Sequence, residues 1–461
     1  MSQQLCGTTE ICGYDFPFCY DADTENINIY IGNRIITVPE DMDMIFGKKL
    51  GMMTGGNILF KLSVPLTNSI MEIENGIPKY VSCFNQIRSV DFFIENFQEH
   101  SEYTEMRLQF PELDYFIPSI GRATATKEEV IFSRLKESLY SFNVKYADTE
   151  VAVSFDTKME GNANVRETAK TISEISLKFP KTANLDYLNG LYEGVRSFFV
   201  FVCNRQNIGL RSAILIGEYP RKRNKNGKIV EKVGYTQQEI VFSQKYLEPL
   251  EDEKKIKKVP NSRLFSTNLK ELFQMFLEQS VESIAIVNGS SIHPSFKYRN
   301  LIDLEQSLHI TAAFEYYVRT LLPEISSNET IEFLNDMQVL VEEYITTVTG
   351  KKKKKAKDFK KSLRPQISLE EKIMKVYEGY SNWLPLKSVL SGWFGEDISD
   401  LAKAANLWRN ELAHEKREYQ PDIKTIDAVR FVEHVNYCII LRYAGYADEQ
   451  TKEIVSEVLI R

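Results

Sequence analysis

Residues 257–279 read KKVPNSRLFSTNLKELFQMFLEQ, and the change of pattern at Val259-Pro260-Asn261 within them decides the fold class. Upstream, runs with alternating or β-branched character recur at Ile27–Val38, Asn57–Pro65, Lys79–Arg88, Thr104–Phe110, Thr149–Phe155 and Lys170–Phe179, which predicts strands. Gly32-Asn33, Gly55-Gly56-Asn57 and Asn226-Gly227 mark turns. The last, flanked by Glu218–Lys225 and Lys228–Glu239, predicts a hairpin. One helix, Leu185–Cys203, is expected to pack on the sheet. Downstream the 3.6-residue period runs almost throughout and predicts helices near 267–287, 300–322, 329–348, 369–389, 398–418, 423–445 and 449–460. Ser368-Leu369-Glu370-Glu371 is a capping box, and Ile426, Val429, Val432, Val435 and Ile439 form a packing stripe. The fold class is therefore α+β, a β-rich N-terminal half followed by an all-α half.

A chain of 461 residues, 43% hydrophobic and 26% charged, can bury a sizeable core and exceeds one ordinary domain. Its cysteines (Cys6, Cys12, Cys19, Cys83, Cys203, Cys438) are sparse and lack paired spacing, which argues against a disulfide scaffold and for a reducing cytoplasm. No apolar run approaches the roughly 20 residues that cross a bilayer, and no signal pattern opens the chain, so no membrane is expected. A net charge of -7 excludes a blanket grip on nucleic acid and leaves local patches. One patch is KKKKKAKDFKK, Lys351 to Lys361, whose mutual repulsion predicts a mobile loop. It reads as a solvated linker or as a phosphate-binding arm led by Lys351, Lys352, Lys353, Lys354 and Lys355. YPRKRNKNGK, Tyr219 to Lys228, is a second patch, at a hairpin tip, where solubilising is its commoner use.

Familiar catalytic signatures are missing. GMMTGGN, Gly51 to Asn57, lacks the Lys and Ser/Thr of a phosphate loop and reads as a turn. The early cysteines have five and six residues between them, wrong for a zinc knuckle, so no metal site is expected and no cofactor is called for. What remains is WRNELAHE, Trp408 to Glu415, on a predicted helix. At about 100° per residue, Leu401, Ala405, Trp408 and Leu412 form the buried stripe, Arg409 lies on its flank, and Asn410 and His414 fall together one turn apart. The Asn410 amide could then orient the imidazole. A His and an Arg pointing off their own core suit a site completed by another subunit. The chemistry served by such a set is metal-free RNA cleavage: the imidazole moves a proton at the 2′-hydroxyl or the leaving 5′-oxygen, and the guanidinium offsets charge on the phosphorus. The bland alternative is an exposed helix whose Arg409 pairs with a carboxylate and whose His414 is incidental.

LWRNELAHEKRE, Leu407 to Glu418, resembles the signature of HEPN-domain ribonucleases. With ISLEEKIMKVYE (367–378) and IILRYAGYADEQTKEIV (439–455), in that order and spacing, the chain is similar to ApeA-type HEPN proteins, bacterial anti-phage effectors. The β-rich half looks like their N-terminal domain. The resemblance implies a β-rich sensor or regulatory domain at 1–262, a helical linker at 263–298 and a HEPN helical bundle at 299–461. It also implies a metal-independent endoribonuclease using the RNA's own 2′-hydroxyl, a homodimer or higher oligomer pairing two motif helices, and abortive infection set off by a phage-derived trigger in the cytoplasm. A transfer RNA anticodon loop is the preferred substrate, because single-stranded loops leave the 2′-hydroxyl free to align. Carried over residue by residue, Arg409 and His414 are the catalytic pair and Asn410 the polar residue of the motif. The family's first-helix Glu falls on Glu315 of AAFEYYVR (312–319). Independently, Glu315 lies on the line Leu301, Leu304, Leu308, Thr311, Val318, Leu322, where a lone carboxylate would be costly, so it should meet a cation, Arg409 or its own Arg319. Two alternatives stay open: a non-catalytic HEPN scaffold or interaction module, and a β-rich half that is itself the main ligand-binding part.

Overall fold

Strands that alternate inward apolar and outward polar residues can close on themselves, and six near the N-terminus do so. They are β1 (Gln4–Ile11), β2 (Tyr14–Asp21), β3 (Asn26–Ile29), β4 (Met44–Lys49), β5 (Asn57–Leu62) and β6 (Gln86–Glu95). The hydrogen-bonded order β6-β3-β2-β1-β4-β5 returns to β6, giving an antiparallel barrel. Ile11, Phe16, Phe18, Tyr20, Ile27, Ile45, Phe60 and Phe93 are among its buried core. Phe18 fits because two facing positions carry no side chain: a Cβ on Gly7 or Gly47 would lie 2.7 or 2.6 Å from its ring. In this computed structural model the described residues are all except 1–3, 33–37, 39–41, 51–55, 67–70, 75–76, 81–85, 118–122, 126–129, 133–138, 161–169, 226–227, 245–248, 279–289, 299–301, 323–327, 363–367, 381–397, 414–421 and 460–461.

Six further strands, β7 (Glu102–Gln109), β8 (Tyr140–Tyr146), β9 (Thr149–Glu160), β10 (Lys170–Thr182), β11 (Ser212–Lys225) and β12 (Lys228–Phe242), form an antiparallel sheet ordered β8-β9-β10-β7-β11-β12. The last three residues of β12 pair with β6 and join sheet to barrel. Helix α1 (Leu185–Cys203) packs on this unit through Tyr192, stacked 3.9 Å from Phe242, and Tyr187, whose ring meets Phe179 and Tyr146. The β11–β12 hairpin stands where the Asn226-Gly227 signal puts it, its tip outside the described residues. β1, β2, β4 and β8 lie outside the strands expected from the sequence. In β1 and β2, Gly7 and Pro17 interrupt the β-propensity, and only the barrel partners supply the reason for extended backbone. The same hairpin corrects the cysteine reading. Cys6 and Cys19 stand directly opposite one another across β1 and β2 and are joined in a disulfide, which their separation of 13 in sequence conceals. Unpaired spacing therefore says nothing here about the redox compartment.

The chain divides into two compact units. Met1–Arg196, Asn207–Lys257 and Leu277–Gln279 make up the first; Ser197–Gln206, Lys258–Phe276 and Ser280–Arg461 make up the second. Within the second, α2 (Leu269–Leu277) sets Phe273 and Phe276 against Phe198 near the end of α1. Its other helices are α3 (Leu304–Leu321), α4 (Asn328–Thr347), α5 (Gly350–Ser362), α6 (Leu369–Tyr380), α7 (Ile398–Ala413), α8 (Ile423–Tyr443) and α9 (Asp448–Leu459). α8 packs on α3, α7 and α9, while α6 packs on α7 and α3, so α3, α6, α7 and α8 make a four-helix arrangement. α8 opens on Asp422, whose carboxylate accepts from Thr425 N, and it ends at Gly445, φ +91. Its sequence predicts one buried stripe. Instead every residue from Phe431 to Leu441 is buried, Glu433, His434 and Asn436 included, because α8 is the central helix, and Asn436 donates to Ile310 O of α3.

The lysine run is not a loop. Lys351–Lys355 fall in α5, antiparallel to α4 by way of Gly350 at φ +63. Lysine is a good helix former, and α4 offers five acidic residues and no basic one along NETIEFLNDMQVLVEEYITT, so the repulsion argued from the run alone is offset. Lys360 pairs with Glu342 across the hairpin, and Ala356 and Val341 are buried.

Candidate functional site

Three helices converge on one carboxylate. Glu315 sits on α3, whose buried face is Ile310, Ala313, Phe314, Tyr317 and Leu321. Of the expected line, Thr311 and Val318 are buried, whereas Leu304 and Leu308 nearer the start of the helix are exposed, 49% and 40%. Glu315 accordingly lies at the edge of the core rather than in it, its side chain 26% exposed. α7 is held by Leu401, Ala402, Ala405 and Trp408, all buried, the stripe that its sequence predicts with Leu412 only half-buried at the end. Arg409 follows Trp408 on the flank of that stripe.

There the Arg409 guanidinium donates through Nη2 to Glu315 Oε2 at 3.1 Å. The other carboxylate oxygen, Oε1, accepts from Lys372 Nζ of α6 at 3.2 Å. Arg319, the competing partner from α3 itself, lies over the Tyr316 ring, 5.7 Å from its centroid. Arg409 Nη1 also donates to Asn410 Oδ1 at 3.4 Å. The amide oxygen of Asn410 thus serves the neighbouring guanidinium, while the expected pairing of Asn410 with His414 falls outside the described residues. His414 lies outside the described residues, directly after Ala413, the last residue of α7. Lys351, Lys352, Lys354 and Lys355 are exposed on α5 and Lys353 is half-buried. The two cations that reach Glu315 come from α6 and α7, not from this helix.

Lys372 carries no signal of its own in the sequence. The capping box that opens α6 does, and it forms: Glu371 N donates to Ser368 Oγ at 3.1 Å and Ser368 N to Glu371 Oε2 at 3.0 Å. That box fixes the first turn of α6, and Ile373 and Val376, both buried, fix its rotation. Lys372 is thereby aimed at α3, a consequence of tertiary packing that no local signal reveals.

The cluster holds one negative and two positive charges, partly exposed, and can therefore take a further anion. Among the described residues no group of His, Cys, Asp and Glu is disposed to hold a metal ion, and no helix is long and apolar enough to cross a membrane. The model of the Apea-like HEPN family matches residues 308–450, from within α3 to the start of α9. The matched segment is similar to Apea-like HEPN domains, and it contains Glu315, Lys372, Arg409, Asn410 and His414. No curated protein and no solved structure matches the chain.

Proposed function

We propose that this HEPN-like segment is a metal-independent endoribonuclease acting in anti-phage defence by abortive infection. Its likeness to the HEPN family supports a nuclease-type role. The observation that carries the finer reading is Arg409, held by Glu315 at 3.1 Å on the helix whose sequence continues into His414. In this reading His414 moves the proton at the 2′-hydroxyl or the leaving 5′-oxygen, and Arg409 bears the charge that builds on the phosphate. Attack by the RNA's own 2′-oxygen displaces the 5′-oxygen and leaves a 2′,3′-cyclic phosphate and a 5′-hydroxyl. Asn410 and Glu315 position Arg409. The preferred substrate is transfer RNA at its anticodon loop. A homodimer facing two motif helices would supply a second His414, acid to the first one's base, and sedimentation of the full chain checks that assembly. The reading places the protein with its RNA in the cytoplasm, the β-rich half sensing a phage-derived trigger that releases the ribonuclease.

The test is sequencing of 5′-hydroxyl RNA ends after induction of the full chain. Ends clustered in anticodon loops are expected; no new ends, with or without phage, would overturn the ribonuclease reading. A second reading then takes its place, a binding module. It is favoured by a cleft of about 540 Å³ in the first unit, lined by Thr8, Glu10, Asp15, Lys48 and Phe97 and by Phe46, which is 49% exposed.

For the basic helix the expected outcome is electrostatic. Replacing Lys351, Lys352, Lys353, Lys354 and Lys355 by Gln weakens RNA binding and flattens its salt dependence by about 0.7 for each phosphate no longer neutralised. Gln keeps most of the helix propensity, so the melting temperature changes little. An unchanged salt slope returns α5 to a solvated helix.

A further inference from the structure

Resting on the ribonuclease reading, we infer that Lys372 is a second phosphate-binding cation of the site, the one that leaves Arg409 with net charge to offer. An isolated Arg409–Glu315 pair is neutral, so its carboxylate offsets much of the attraction its guanidinium has for an incoming phosphodiester. The structure does not hold such a pair. Each oxygen of Glu315 is taken by a different cation, Oε2 by Arg409 at 3.1 Å and Oε1 by Lys372 at 3.2 Å, so the three side chains together carry one positive charge.

Donor capacity points the same way. The ammonium has three N–H donors and one is directed at Glu315; the guanidinium has five, of which Nη2 serves Glu315 and Nη1 serves Asn410. Donors remain on both cations, and both side chains reach solvent, 22% and 36% exposed. Lys372 also stands where helix stability alone would not put it. It lies in the first turn of α6, the end that favours carboxylates over cations, and the nearby Glu371 is committed to the capping box. A partly exposed ion pair contributes only modestly to stability, so an anchor for α6 does not by itself account for a cation here. A phosphate seated against both cations is the account that uses the charge.

The experiment compares Lys372→Met and Lys372→Arg with the unaltered full chain on a fluorescein-labelled single-stranded RNA oligonucleotide. Cleavage gives kcat and KM; binding is read in a His414→Ala background over a range of salt concentrations. Lys372→Met is expected to raise KM and Kd about tenfold, the effect of one charge-assisted hydrogen bond. It should also reduce the salt slope by about 0.7, the share of one phosphate on a single strand. Lys372→Arg should restore both. If Lys372→Met lowers the melting temperature but leaves KM, Kd and salt slope as they were, Lys372 is only a tie between α6 and α3 and the inference falls while the ribonuclease reading stands. If the unaltered chain neither binds nor cleaves RNA, the ribonuclease reading falls and takes the inference with it.

Discussion

His414→Ala protein is expected to lose RNA cleavage by about 10²–10⁴-fold, the usual contribution of one positioned acid or base, with its melting temperature unchanged. Arg409→Ala should be as inactive, because the charge on the phosphorus then has no guanidinium to meet it. Its folding is protected by the geometry around Glu315. Removing Arg409 does not strand that carboxylate, since Lys372 still donates to Oε1 at 3.2 Å. Glu315→Gln tests the other side of the contact: it keeps the size of the side chain and removes the charge that holds Arg409, so kcat should fall while RNA affinity holds or rises. EDTA is expected to leave cleavage unchanged, because His414 and Arg409 supply the proton transfer and the charge that a metal would otherwise provide. Undiminished cleavage by purified His414→Ala protein would sink the assignment, and a loss in EDTA restored by Mg²⁺ would count against the mechanism.

How much of this is visible in the sequence depends on how local each cause is. The division into β-rich and helical halves follows from periodicity, a local property, and the hairpin of β11 and β12 from a turn dipeptide. The barrel does not. Its closure rests on β5 pairing with β6, and the space for Phe18 rests on Gly7 and Gly47 of two different strands, so neither β1 nor β2 reads as a strand alone. The lysine run shows the opposite error, a local argument from repulsion overruled by the acidic helix packed beside it. At the site, the helical wheel of α7 places Arg409 on the flank of the Trp408 stripe, and the cost of a lone carboxylate demands a cation for Glu315. That the demand is met twice, by Lys372 as well as Arg409, depends on the rotation of α6 against α3, which only the assembled bundle fixes.

Trp408→Ala is expected to be the most destabilising single change near the site, by about 3–5 kcal/mol, the range for emptying the space of a large buried aromatic. Trp408 is 3% exposed, and Ala402 and Ala405, which precede it on α7, are fully buried and small. The alanines let α7 approach its neighbours closely, so the last turn depends on the indole to fill what remains. Neither methyl group is large enough to take its place. Trp408→Phe keeps most of the volume and should cost clearly less. The consequence for function follows from adjacency: Arg409 reaches Glu315 only while the last turn of α7 keeps its rotation. Urea titration should therefore show a lower midpoint for Trp408→Ala and an unaltered one for Arg409→Ala. At low temperature, where Trp408→Ala is still folded, its kcat should already be reduced. A Trp408→Ala protein as stable as the unaltered chain would mean that α7 is not seated by this stripe, and the placement of Arg409 against Glu315 would lose its physical basis.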